Sequence, residues 1–159
     1  MRVLLTNDDG IQSDGLLSAY QALRSAGHQV TVCAPDRERS AQSQAITLRA
    51  PLEVKPRTLP DGAIGYAITG TPADCSRLGF TMLVPEPVDL VISGINNDFN
   101  LGYDVNYSGT VAAALEAAGA GYLSIAASLE RSSNYDWLGA GAILMDVVEN
   151  LPQWSIPIG

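Results

Sequence analysis

The chain has 159 residues, enough for one domain and cramped for two. Hydrophobic residues make up 47% and charged ones only 16%, a balance that can bury a core and excludes a disordered chain. Nine Lys and Arg against seventeen Asp and Glu give a formal charge of −8, which excludes a broad footprint on a nucleic-acid duplex or an anionic membrane.

The apolar run over residues 2–6 reads as a strand and stops at Asn7-Asp8-Asp9-Gly10. Residues 15–26 then carry Leu16, Leu17, Tyr20 and Leu23 at helical spacing, with Asp14 as the cap and Gly27 as the stop. A β-branched run over 29–34, closed by Pro35-Asp36, makes a second strand, and strand, helix and strand form a parallel unit. Residues 37–43 are polar. Short strands over 45–48, 52–56 and 64–69, separated by Pro and Gly, predict a small antiparallel hairpin. Pro72 opens a helix over 73–83, a buried strand follows at 88–93, and 94–107 is irregular. Ser108-Gly109-Thr110 caps an Ala-rich helix to about Ala120, and 122–127 is a further apolar strand. Residues 136–150 carry a helical pattern with Leu138, Ile143, Met145, Val147 and Val148 on or near its apolar face, and 154–158 would be a last strand.

This alternation predicts a single α/β domain: a Rossmann-like three-layer fold with a mostly parallel sheet, helices on both faces and the antiparallel hairpin as an insert. Cys33 and Cys75 lie in a strand-like and a helix-like stretch, so neither a disulfide framework nor a Cys-rich zinc site is suggested. No stretch reaches the roughly 18 apolar residues of a membrane span, and residues 1–6 do not form a charged leader with a long apolar core. The expectation is a cytoplasmic protein with no membrane partner.

In such sheets ligands gather at the carboxyl ends of the strands. Four segments follow strands at that edge: Asn7 to Gly10, residues 36–43, residues 93–107 and, later, residues 127–134. Adjacent carboxylates such as Asp8 and Asp9 repel unless a cation or hydrogen-bond donors stand between them, and a hard divalent ion suits an all-oxygen set. Alone, the pair also reads as a turn in which one Asp caps the helix. Ser93, Asn96, Asn97, Asp98 and Asn100 crowd one glycine-bounded loop, in the manner of binding loops, though a chain of Asx-turns uses the same residues. The helix start at Ser108-Gly109-Thr110 favours an anion such as phosphate. Arg37 and Arg39 flank Ser40 and either clamp a phosphate or form a solvated face.

What is missing narrows the chemistry. His28 is the only histidine and precedes the second strand, at the opposite edge, which argues against a Ser-His-Asp triad or a His-ligated zinc. Lys55, the only lysine, lies in the hairpin region, and no P-loop sequence is present. No Gly-x-Gly-x-x-Gly follows the first strand, so a dinucleotide cofactor is disfavoured.

Taken in order, Asn7-Asp8-Asp9-Gly10-Ile11 with Gly15-Leu16, Ala34-Pro35-Asp36-Arg37 through Ser40, Gly70-Thr71-Pro72-Ala73-Asp74-Cys75, Ser93-Gly94-Ile95-Asn96 and Tyr107-Ser108-Gly109-Thr110-Val111-Ala112-Ala113-Ala114 resemble the SurE family of metal-dependent 5′/3′-nucleotidases, the stationary-phase survival proteins. The resemblance implies one Mg²⁺ or Mn²⁺ held by Asp8, Asp9, Ser40 and Asn96, with Asp8, Asp9 and Asn96 catalytic. It implies a phosphate site from Asn100, Ser108, Gly109, Thr110 and Arg39, a nucleoside monophosphate substrate and a homodimer or homotetramer. Two departures stand out. Where the family usually continues Ser-Gly-x-Asn-x-Gly-x-Asn this chain has Asp98 in place of the glycine, open to three readings: a changed loop, repulsion of phosphate, or an extra ligand. The family's C-terminal extension, with its projecting hairpin, is expected to be absent.

A degenerate, inactive member that binds metal or phosphate is the alternative. A sugar-nucleotide glycosyltransferase half shares only the Gly27-His28 strand, and a receiver-like sensor lacks a suitably placed Lys.

Overall fold

The computed structural model describes residues 1–84 and 87–151. β1 (Arg2–Thr6), α1 (Asp14–Ser25) and β2 (Gln29–Pro35) form the expected parallel unit. β3 (Val54–Thr58) and β4 (Ile64–Ile68) make the hairpin, and α2 (Pro72–Leu78) runs into a π-helical turn over Gly79–Leu83. β5 (Leu90–Asn96), a 3-10 turn (Gly102–Asn106), α3 (Gly109–Gly119), β6 (Ser124–Ser128) and α4 (Trp137–Asn150) complete the order. The strand predicted over 154–158 lies outside the described residues.

Among the described residues, six strands form one sheet in the order β3-β4-β2-β1-β5-β6. All neighbours run parallel except β3 against β4, so the hairpin extends the main sheet by pairing β4 alongside β2. Period-two alternation assigns the two faces. Val3, Leu5, Val32, Ala34, Leu90 and Ile92 face a layer made by Leu16, Tyr20 and Leu23 of α1 with Leu144 and Val148 of α4. Leu4, Cys33 and Val91 face the other way, towards Cys75 of α2 and Ala117 of α3. Each such fully buried Leu, Ile or Val is worth about 1.5–3 kcal/mol, so the two-sided burial of β1 and β5 fixes the centre of the molecule. Among the described residues no helix is long and apolar enough to cross a membrane.

Four expectations shift. Residues 45–48 form no strand, because their polar groups are taken by the start of α2: Asp74 accepts from Thr47 N at 3.0 Å and Thr47 Oγ1 at 2.6 Å, and Thr71 Oγ1 donates to Ala45 O at 2.7 Å. The strand predicted at 52–56 is moved to Val54–Thr58 by its register with β4. The cap of α1 is Ser13 rather than Asp14, which occupies the first turn. In α4 the buried face is Gly141, Leu144 and Val148, while Leu138 and Ile143 are 86% and 69% exposed.

Stops and starts otherwise follow the local chemistry. Gly27, at φ +82°, lets the N–H groups of Gly27 and His28 donate back to Arg24 O and Leu23 O, closing the end of α1. Ser108 caps α3 through its side chain, as the sequence leads one to expect, and Asp136 does the same for α4.

Candidate active site

The turn after β1 is built by Asn7, a buried side chain. Its amide donates to Gly10 O at 3.1 Å and to Ser13 Oγ at 2.7 Å, and its Oδ1 accepts from Gly10 N at 3.2 Å. Gly10 is required twice over: its φ is +101°, and a Cβ there would lie 3.1 Å from the Arg37 carbonyl carbon. The turn therefore sits directly against the loop after β2, where Arg39 N donates to Asp8 O at 2.7 Å.

Asp8 and Asp9 emerge from this turn into different surroundings. Asp8 is buried and accepts from Thr110 Oγ1 at 2.5 Å, beneath the first turn of α3. A Cβ on Gly109 would stand 2.8 Å from Asp8 Cβ, so only glycine lets the helix come this close. Burial raises the Asp8 carboxyl, and the hydrogen bonds from Thr110 oppose that rise. For Asp9, burial first and the Asp8 charge second push the carboxyl up to about 6, against a lowering bond from the Asn97 backbone. Its Oδ2 is buried and has no hydrogen-bond partner among the described residues.

Asn96 ends β5. A Cβ at Gly94, whose φ is +134°, would lie 2.3 Å from Ala127 O, so the glycine permits close approach of β6 where the pairing slips between Ser93 and Asn96. Asn96 Nδ2 donates to Asp98 O at 2.7 Å, which leaves Oδ1 as its available acceptor. Ser40 is exposed and donates its hydroxyl proton to Glu38 Oε1 at 2.7 Å, keeping its lone pairs available.

Asp8, Ser40, Asn96, Asn100 and Ser108 all line one cleft of about 590 Å³, with Asp9 at the adjoining cavity. Three strand ends thus bring together the residues that the carboxyl-edge rule selects. Others are committed elsewhere. Arg39 donates through Nη2 to Thr69 O at 2.9 Å and pairs with Asp36 at 3.4 Å, so it does not reach the cleft. Thr110 is fully buried and serves Asp8 instead of facing a ligand. Ser108 N donates to Asp104 O at 3.2 Å, and Asn100 Nδ2 donates to Ser128 Oγ at 2.7 Å.

Sequence reasoning missed Glu38, Tyr107, Arg131 and Tyr135, all of which line the cleft. Arg131 is the sole cation among the lining residues and pairs with Asp98 at 3.6 Å. The signal was present, since Arg131 is the only basic residue after Arg77 and lies in a segment assigned to the carboxyl edge. Asp98 touches Arg131 and the Phe99 N–H, both at its exposed side, and is 48% exposed as a side chain.

The donors fit a hard divalent cation: two carboxylates, a hydroxyl and an amide oxygen are all oxygen ligands, and the unpartnered Asp9 Oδ2 is a buried atom that lacks a counterpart. Among the described residues no three His, Cys, Asp or Glu side chains gather as a metal cluster, so such a site depends on the neutral oxygens of Ser40 and Asn96.

Comparison with known proteins gives the same direction. The family described as Survival protein SurE matches residues 3–156. The chain is 47% identical over 152 residues to the 5′-nucleotidase SurE of Solidesulfovibrio magneticus, covering 96% of this chain and 59% of that protein. It is 51% identical over 141 residues to that of Rubrobacter xylanophilus, covering 88% and 52%. The crystal structure of the SurE protein from Aquifex aeolicus superposes with a TM-score of 0.87 at 38% identity, over 99% of this chain and 62% of that one. The chain spans roughly three fifths of the length of the curated relatives it matches.

Proposed function

The chain belongs to the SurE family, and we propose that its cleft is a divalent-metal-dependent phosphomonoesterase site that hydrolyses nucleoside 5′- and 3′-monophosphates to nucleoside and phosphate. The observation that carries this reading is the buried, unpartnered Oδ2 of Asp9 beside Asp8, at the same strand edge as Asn96 and Ser40. Asp8, Asp9, Ser40 and Asn96 would hold one Mg²⁺ or Mn²⁺. Bound there, the cation supplies positive charge to the phosphoryl oxygens and acidifies a water molecule.

The chain's own residues do the rest. Thr110 holds Asp8 in one orientation, and the pair Asp8 and Asp9 supplies the carboxylate that takes a proton from the attacking water. The water oxygen joins phosphorus as the ester P–O bond breaks, and the proton taken up by the carboxylate passes back through solvent to the departing ribose oxygen. The hydroxyl of Ser108 and the N–H of Gly109, at the positive end of α3, would bind the phosphate oxygens. Arg131 adds the cleft's one cationic side chain at its mouth, and Asn100 joins by exchanging its bond to Ser128. Asp98 bears on the alternative of an inactive member. It pairs with Arg131 at 3.6 Å and makes no bond to Asp8, Asp9 or Ser40, which favours the active reading.

The test is phosphate release from AMP. After treatment with EDTA the protein releases none, and added Mn²⁺ or Mg²⁺ restores turnover; undiminished release in EDTA overturns the proposal.

A further inference from the structure

The cleft continues past the carboxylates. Beyond Asp9 lies a second cavity of about 310 Å³, which shares Glu38, Asn97 and Tyr135 with the first. This is at the small end of the range for small-molecule sites, roughly 300–1,000 Å³. One wall is aromatic. Tyr135 and Trp137 stack with centroids 4.8 Å apart at 17°, and the Tyr135 hydroxyl donates to Asn97 O at 2.7 Å, which fixes the ring's edge. Trp137 is held from behind by α1, where Gly15 leaves it room: a Cβ there would come within 2.9 Å of Trp137 Cζ3.

The remaining walls are polar and carry no Lys or Arg. Gln12, Ser13 and Asp14 line it with Asp9 and Glu38. Ser13 Oγ accepts from Asn7, so its own proton is available to a ligand. A cavity lined by carboxylates without a cation repels a phosphate but accepts hydroxyl and amino hydrogens. A flat aromatic face with such acceptors suits an uncharged, hydroxylated group bearing a planar ring.

We propose that this second cavity takes the nucleoside half of the substrate, with the base against Tyr135 and the ribose hydroxyls towards Asp14 and Glu38. The inference rests on the phosphomonoesterase reading: the first cleft, with Ser108 and Arg131, takes the phosphate, and the second cavity, which joins it at Glu38, Asn97 and Tyr135, takes the group the phosphate is esterified to. The rival platform is the edge-to-face pair Tyr103 and Tyr107, with centroids 5.8 Å apart, of which Tyr107 lines the first cleft. Tyr103 is 75% exposed and does not line the cleft, and Tyr107 is the chain neighbour of Ser108, on the side assigned to the phosphate.

Calorimetric titration of adenosine and of inorganic phosphate, each in the presence of Mn²⁺, reads this subsite apart from turnover. In Tyr135→Ala the affinity for adenosine falls by about 5- to 150-fold relative to that for phosphate, the range that base–aromatic stacking carries. Tyr135→Phe, which keeps the ring and removes the bond to Asn97, retains most of the adenosine affinity. The proposal is overturned if wild-type protein binds no adenosine, if Tyr135→Ala binds it unchanged, if the loss follows the hydroxyl in Tyr135→Phe, or if Tyr107→Ala produces the loss instead. Failure of AMP hydrolysis with adenosine binding intact would sink the phosphomonoesterase reading alone.

Discussion

Asp8 and Asp9 are neighbours with opposite surroundings, one clamped by a buried hydroxyl and the other left with an unpartnered oxygen. Burial and the Asp8 charge raise Asp9 from 3.8 to about 6. A folded-state value above the unfolded one means that folding favours the protonated form. The stability this group contributes is full below about pH 4 and is lost as pH rises through about 6. In EDTA at pH 7.5, Asp9→Asn is therefore more stable than wild type by about 1–2 kcal/mol after allowance for solvent screening, and the difference disappears by pH 4. Urea unfolding at the two pH values measures it. Thr110→Val acts in the opposite sense: it strips a donor from a buried carboxylate and costs about 1–3 kcal/mol at pH 7. The same titration detects it, and a variant as stable as wild type would mean that the Thr110 bond does not hold Asp8.

At the scale of elements, the site depends on how closely α3 approaches the end of β1. Gly109→Ala places a Cβ 2.8 Å from Asp8 Cβ and must push the two apart. Circular dichroism should remain near wild type while AMP turnover drops more than about tenfold, the cost of a displacement near 1 Å. Unchanged turnover would show that this approach is unimportant. At α2, Thr71 and Asp74 form a capping box, so Thr71→Ala lowers stability by about 1 kcal/mol in urea unfolding. Elements of this kind are readable in sequence because they rest on local chemistry: Ser108, Gly27 and Pro72 mark ends by what their own atoms do. Long-range contacts are not. Asp74 captures Thr47 and abolishes the strand predicted at 45–48. Arg39 turns to Thr69 O because β4 lies beside β2, a neighbour relation that no local pattern encodes. The α4 pattern is ambiguous in the same way, since apolar residues occur on several of its faces and packing against α1 selects Leu144 and Val148.

Across the whole molecule, a sheet in which β1 lies between β2 and β5 brings the ends of these three strands to one place, and this is why ligands distant in sequence meet. The carboxyl-edge rule selects the segments that carry Asp8, Asp9, Ser40 and Asn96 before any side-chain geometry is known, but it cannot tell which nearby side chains, such as Thr110, turn inward. Charge works against the substrate at this scale. The net charge is −8, and the cleft adds Glu38, Asp98 and Asp104 against Arg131, so a single divalent cation does not reverse its sign. Screening should therefore help: kcat/KM for AMP rises as NaCl is raised from about 10 to 150 mM, and a steep fall would mean that the cleft attracts anions. The joint role of the oxygen set is tested by titrating Mn²⁺ into EDTA-treated wild-type protein and Asp9→Asn side by side while following phosphate release from AMP. Wild-type turnover should rise with Mn²⁺ and saturate, and Asp9→Asn should stay near the blank at every concentration; equal turnover in the two proteins would contradict the assignment of Asp9 to the site.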